Sequence, residues 1–105
     1  MANFDSTPTR NLGTTPVTIF TAASPCVIIG INIANVYGSE LPIDIWQRRS
    51  SNDTYIQKQY RVGPGETEEI MRGNKIVLIT GDTLMASTAV ANGFDILVSA
   101  LKGVS

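Results

Sequence analysis

The run Cys26-Val-Ile-Ile-Gly-Ile-Asn-Ile-Ala-Asn-Val36 constrains this chain more than any other stretch. Val27, Ile29, Ile31 and Ile33 stand at every second position, and side chains two apart share one face of a β-strand. The alternate positions, Cys26, Ile28, Gly30, Asn32, Ala34 and Val36, are mostly small. A strand that is β-branched on one face and small on the other is expected at the centre of a sheet, packed closely on both sides.

The rest of the chain reads as further strands of similar length. Thr15–Phe20 alternates and carries Pro16, which has no N–H for a ladder and so marks an edge strand or a strand start. Leu41, Ile43 and Ile45 alternate with Asp44, Trp46 and Arg48, the pattern of a half-buried antiparallel strand. Thr54–Val62 follows, and Gly63-Pro-Gly-Glu66 turns the chain. Thr67–Met71 is a short acidic strand whose Glu68 and Glu69 discourage unwanted pairing at an edge. Lys75–Thr80 is apolar in both phases and is expected to be a buried strand. Thr83–Thr88 and Phe94–Leu101 complete the set, with Phe94, Ile96, Val98 and Ala100 facing inward and Asn92-Gly93 turning between them. About eight short strands at this spacing predict an all-β fold. The expected form is a two-sheet antiparallel β-sandwich, jelly-roll or immunoglobulin-like, with an open barrel as the alternative. Residues 13–105 are read as one domain.

Residues 1–12 (MANFDSTPTRNL) have no periodicity and hold only Phe4 and Leu12 as large apolar side chains after Met1. Such a segment is a loosely draped terminus or an extended N-terminal arm that crosses from Ala2 to Arg10 onto a neighbouring subunit. In the second reading Phe4 is the anchor, and Asn3, Thr7, Pro8 and Arg10 join it as contacts. Composition favours a partner of some kind, because charged residues make up 16% where about 25% is usual.

Several classes of chemistry are disfavoured. The chain has no histidine and one cysteine, Cys26, so a zinc site lacks ligands and a nucleophile lacks its usual base. The carboxylates are scattered, and Asp53 and Asp82 sit in turns where capping of local backbone is the ordinary role. Gly63-Pro-Gly65 and Gly73 precede no helix and are turns rather than a phosphate cradle. The net charge of −1 gives no field for nucleic acid or an anionic membrane. No apolar run approaches the roughly 18 residues of a membrane span. The first residues lack the basic and apolar regions of a signal peptide. The chain is read as a soluble, non-enzymatic protein without cofactors, made in a cytoplasm.

The second candidate contact region is Trp46–Arg49 with Tyr55. Trp46 shares the outward phase with Asp44 and Arg48. Trp, Tyr and Arg dominate interface hot spots, so Trp46, Arg48, Arg49 and Tyr55 are interface candidates. The same Trp with Tyr55 and Tyr60 also suits a sugar-stacking platform, and Trp46 filling the second face of a sandwich strand is the plain structural alternative.

Four phrases carry a resemblance: Asn11-Leu-Gly-Thr-Thr-Pro-Val-Thr-Ile-Phe-Thr-Ala22, Ile31-Asn-Ile-Ala-Asn-Val36, Val62-Gly-Pro-Gly-Glu66, and Lys75-Ile-Val-Leu-Ile-Thr-Gly-Asp-Thr-Leu84 with the Phe94–Leu101 end. Together they resemble small β-sandwich virion proteins of tailed bacteriophages. The resemblance implies a structural role in the particle, in contact with other copies and with the major capsid protein or neck and tail proteins. Capsid decoration or cement is its first expectation and a neck, collar or tail position the second; a free carbohydrate-binding module, read from Trp46 and the tyrosines and not from the resemblance, is the alternative of another class. It implies location in the virion after synthesis in the host cytoplasm. The phrases are strand-and-turn signals, so no functional residue is carried over.

Overall fold

The computed structural model describes residues 3–102. Among them are nine β-strands and no helix: β1 (Asn3–Leu12), β2 (Val17–Thr21), β3 (Cys26–Asn35), β4 (Leu41–Arg49), β5 (Asn52–Val62), β6 (Thr67–Glu69), β7 (Ile76–Leu78), β8 (Thr83–Thr88) and β9 (Phe94–Lys102). The eight expected strands are all present, and the ninth is β1.

Two antiparallel sheets face each other. One has the order β1-β9-β3-β6, with β7 also paired to β3, and the other has the order β2-β8-β4-β5. If β6 and β7 are taken as one interrupted strand, the two orders are those of a jelly roll, two interlocked Greek keys rather than an immunoglobulin path or an open barrel. The core lies between the sheets. It is built from Ile28, Ile31 and Ile33 of β3, Ile43 and Ile45 of β4, Leu84 and Ala86 of β8, and Phe94, Ile96 and Val98 of β9, all buried.

The segment set apart as an arm lies, within one chain, along β9. Asn3 to Thr9 pair in continuous register with Lys102 to Ile96, and Leu12 joins the core. Ala2, counted with the arm, is outside the described residues.

The central strand departs from simple alternation. Its buried side chains are Cys26, Ile28, Ile31, Ile33 and Asn35. The stripe Val27–Ile29–Ile31–Ile33 expected from spacing is therefore broken. Ile28 pairs with Ala100 but Gly30 pairs with the next residue along, Ser99. Ile29 is the extra residue of a β-bulge, which moves every later side chain to the opposite face. Val27 and Ile29 belong to the outer face, and Ile31 and Ile33 to the core.

The bulge also divides the strand on the other side of β3. β6 pairs with Asn32–Ala34 and β7 with Cys26–Ile28, leaving the middle of β3 between them. Residues 70–75 loop away there, turning through Arg72 and Gly73, both left-handed at φ 52° and 83°. Glu69 closes the gap. Its Oε2 accepts the Ile31 N–H at 2.8 Å, and its Oε1 accepts the Arg72 N–H at 2.7 Å. Glu69 was expected to repel strands from an edge, and it also satisfies that edge itself. Lys75–Thr80, expected to be a buried strand, is reduced to the three residues of β7 at an edge, with Val77 and Ile79 exposed.

Candidate interaction surface

Register places Phe4 of β1 opposite Leu101 of β9, Leu101 opposite Val27 of β3, and Val27 opposite Val77 of β7. Directly paired residues share a face. Ala100 beside Leu101 is buried in the core, so this row is on the outside. It forms an apolar band across all the strands it meets. The ends stand well into solvent, Phe4 at 79% and Val77 at 64% exposure, and Ile79 extends the far end. Next to Phe4 the bulge and small residues open a concavity of about 420 Å³, lined by Phe4, Asp5, Ser6, Ile29, Ser99 and Ala100. At its border Lys102 Nζ meets Asp5 Oδ2 at 2.7 Å, which lowers the Asp5 carboxyl below its ordinary range.

Of the candidate arm contacts, Phe4 lies in this band. Pro8 is on the same face opposite Leu97, and Thr7 is on the other face opposite Val98. Arg10 is exposed beyond the regular pairing, and Asn3 begins β1. Spacing alone hid Val77 and Ile79, because an apolar hexapeptide reads as buried whatever its place in a sheet.

The outer face of the four-stranded sheet carries a different row, Thr18–Met85–Trp46–Tyr55 across β2, β8, β4 and β5. Trp46 does point outward, but it is not a free platform. It is only 4% exposed, and the Tyr55 ring lies against it with centroids 5.4 Å apart. Thr18 donates its hydroxyl to Met85 Sδ at 3.2 Å. Lys58 Nζ sits 4.4 Å from the Tyr55 ring centroid, the geometry of a cation–π contact. The Trp46 indole N–H is buried with no acceptor among the described residues, so apolar and aromatic contacts hold the ring.

Arg48 and Arg49 are both engaged. Arg48 Nε and Nη2 donate to the two oxygens of Asp53 at 2.7 and 3.2 Å on the outer face. Arg49 Nε and Nη2 donate to Asp82 at 2.9 and 2.7 Å, and Gln47 adds a third side-chain donor. The Asp82 carboxylate is buried and also accepts the Ile79 N–H at 3.0 Å, as its turn position suggested. With the Arg49 guanidinium the largest cause, its pKa falls to about 2 despite burial. Asp53 instead pairs with Arg48 rather than capping its own loop.

Most remaining carboxylates bind backbone. Asp44 Oδ1 accepts the N–H of left-handed Gln59, and Glu66 Oε1 accepts that of Gly63. Buried Asn35 bonds the carbonyls of Ser39 and Val62 and the N–H of Tyr37. Among the described residues there is no group of three or more side chains suited to a metal ion. Cys26 is buried and burial pushes its thiol up. Among them also, no helix is long and apolar enough to cross a membrane.

No protein-family model and no curated protein match this chain. Solved structures do. A chain from the acid-stable capsid of the Helicobacter pylori bacteriophage KHP30 superposes with a TM-score of 0.64 at 7% identity, over 95% of this chain and 86% of that one. The globular domain of zebrafish complement 1qA gives 0.62 at 11% identity, over the whole of both chains. A Bacillus endospore appendage, from a family of disulfide-linked pili, gives 0.61 at 11% identity, over 99% and 89%. At such identities the likeness is one of fold, and this fold serves unrelated functions. The resemblance drawn from sequence phrases is supported to that extent.

Proposed function

We propose that this chain is a non-enzymatic structural subunit of a bacteriophage particle, and in particular a decoration or cement subunit that binds and bridges shell proteins. One observation carries the reading: the outer face of the five-stranded sheet is crossed by an uncovered apolar band, while the ionic groups Asp82, Glu69, Asp44 and Arg49 are occupied in holding the fold. That is the surface of a part made to be covered. The whole-length likeness to a phage capsid chain supports it. Binding that requires the intact shell stabilises that shell by mass action. The proposed partners are other copies and the major capsid protein, and the location is the virion after synthesis in the host cytoplasm.

A neck, collar or tail position is the second reading. The likeness to a pilus chain favours it, since a pilus is built by stacking subunits along an axis. The sugar-binding alternative loses its platform, because Trp46 is covered and Lys58 lies against Tyr55.

The test is mass in solution by light scattering, with and without phage shells stripped of their small proteins. Rebinding at many sites supports decoration. Binding at one vertex or in a ring supports the neck or tail. A chain that ignores particles overturns the virion reading.

A further inference from the structure

The turn between β8 and β9 holds Asn92-Gly93, the one place in the sequence where an asparagine precedes a glycine. Every other asparagine precedes a residue whose side chain crowds the next amide nitrogen. Asn92 is exposed and left-handed at φ 57°, a conformation that asparagine tolerates. Gly93 is buried, and both of its backbone groups are engaged. Its N–H donates to the Leu12 carbonyl at 2.8 Å, and its carbonyl accepts the Val36 N–H at 2.9 Å. A methyl group on Gly93 would stand 2.9 Å from Leu41 Cδ1 and 3.0 Å from Thr88 Cγ2, so the backbone is fitted closely here. Two further bonds hold the end of β1 over the turn. The Thr88 N–H donates to the Gly13 carbonyl at 2.9 Å, and the Asn11 N–H donates to Asp95 Oδ1 at 3.0 Å.

We propose that Asn92 is a self-modification site, converted to aspartate and isoaspartate at a pace set by opening of the contact between Gly93 and the end of β1. The Gly93 amide nitrogen, once it gives its proton to solvent base, attacks Asn92 Cγ. The bond from Cγ to the side-chain nitrogen breaks, and ammonia leaves. Water then opens the cyclic imide. Breaking the bond from the Gly93 nitrogen to Cγ gives aspartate, and breaking its bond to the main-chain carbonyl carbon of Asn92 gives isoaspartate. In the closed fold the attacking nitrogen is buried and its N–H is committed to Leu12, so the reaction waits for local opening. The two products differ in their effect. Aspartate leaves the main chain as it was. Isoaspartate routes it through the side chain and adds one carbon just before Gly93. That displaces a residue fitted against Leu41 and Thr88, and with it the bonds to Leu12 and Val36 that tie β1 and the end of β3 to this turn.

The experiment ages the full chain in mildly alkaline buffer, folded and in guanidinium chloride, and follows Asn92 by peptide mass spectrometry with enzymatic methylation of isoaspartate. Hydrogen exchange at the Gly93 amide, measured on the folded chain, reads the same opening independently. Conversion at Asn92 is expected in the unfolded chain and to be at least about tenfold slower in the folded one, by the factor that protects the Gly93 amide. Asp95→Ala, which frees the Asn11 N–H beside Leu12, should speed exchange at Gly93 and conversion at Asn92 together. An unfolded chain that leaves Asn92 intact, equal rates in the two states, or conversion that does not track Gly93 exchange overturns the proposal. Both rates staying native in a folded Asp95→Ala chain overturns the place given to the end of β1, and the native comparison needs no variant. The isoaspartyl chain, isolated after ageing, should unfold at lower urea than Asn92→Asp, which carries the same charge without the added carbon. A shared midpoint overturns the structural consequence.

Discussion

Both oxygens of the Asp82 carboxylate are held by one guanidinium, that of Arg49, yet Asp82 is 1% exposed while the Arg49 side chain is 51% exposed. The pair is a plug at one end of the sandwich, with its anionic half inside and its cationic half outside. Backbone bonds from Ala22 N–H to the Asp82 carbonyl and from Gly81 N–H to the Ala22 carbonyl tie the same turn to the loop that follows β2.

Removing Asp82 strands Arg49, Gln47 and the Ile79 N–H together. Asp82→Ala is expected to destabilise the chain by about 3 kcal/mol, the scale for breaking a buried, hydrogen-bonded pair. Urea unfolding followed by circular dichroism reads the midpoint. A variant within experimental error of the native midpoint contradicts the role.

Asp82 also sets a pH dependence. Its folded pKa of about 2 lies below the ordinary value of 3.8, so the folded state holds the proton less tightly than the unfolded one. The stabilisation is complete above pH 4 and is lost as pH falls from about 4 through about 2. It amounts to roughly 2 kcal/mol. Asp82→Asn should flatten this part of the stability–pH curve, measured as the urea midpoint at each pH.

The β3 bulge predicts unequal isoleucines. Ile31→Ala opens a cavity in the core and is expected to cost about 2–5 kcal/mol. Ile29→Ala removes an outer-face side chain and is expected to cost less than about 1 kcal/mol. Equal costs in denaturant titrations would mean that the strand alternates without a bulge.

Glu69 is predicted to outweigh its neighbour Glu68. Glu69→Ala leaves the Ile31 and Arg72 N–H groups without an acceptor, a loss of about 1–3 kcal/mol. Glu68 receives one side-chain bond, from the Tyr60 hydroxyl at 3.3 Å, and its removal should be nearly neutral. Hydrogen exchange at the Ile31 amide gives the sharper reading, and protection there should fall in Glu69→Ala but not in Glu68→Ala.

Trp46 supplies an optical test. Its emission is expected to be that of a buried indole, weakly quenched by iodide and unchanged by glycans. Tyr55→Ala uncovers the ring and should raise quenching. Native emission that shifts with a glycan would return the sugar platform to consideration.

The alternation of Leu41, Ile43 and Ile45 and of Phe94, Ile96, Val98 and Ala100, with the Gly and Pro turns between strands, was enough to name an all-β sandwich. It was enough because burying one face of a strand imposes a period of two that composition cannot disguise. Phe4 stood out for a related reason, being a large apolar side chain in a segment without a face to bury, and the structure leaves it exposed on the outer face. Asn35 and Glu69 escaped as fold-holding residues because their partners are backbone groups brought near only by the fold, from Val62 to Asn35 and from Ile31 to Glu69, whereas Asp82 was legible as a turn cap and only its pairing with Arg49 was not.

By itself, then, the sequence determined eight of the nine strands described, their turns and, for strands such as β4 and β9, the inward phase, since those follow from local sterics and hydrophobic period. Tertiary structure decided the rest. One extra residue at Ile29 exchanges the faces of β3 without altering its composition. The covering of Trp46 depends on Met85 and Tyr55 arriving from other strands. The apolar band exists only because Phe4, Leu101, Val27 and Val77, distant along the chain, meet in one register. Register is a property of paired strands, and no single strand carries it.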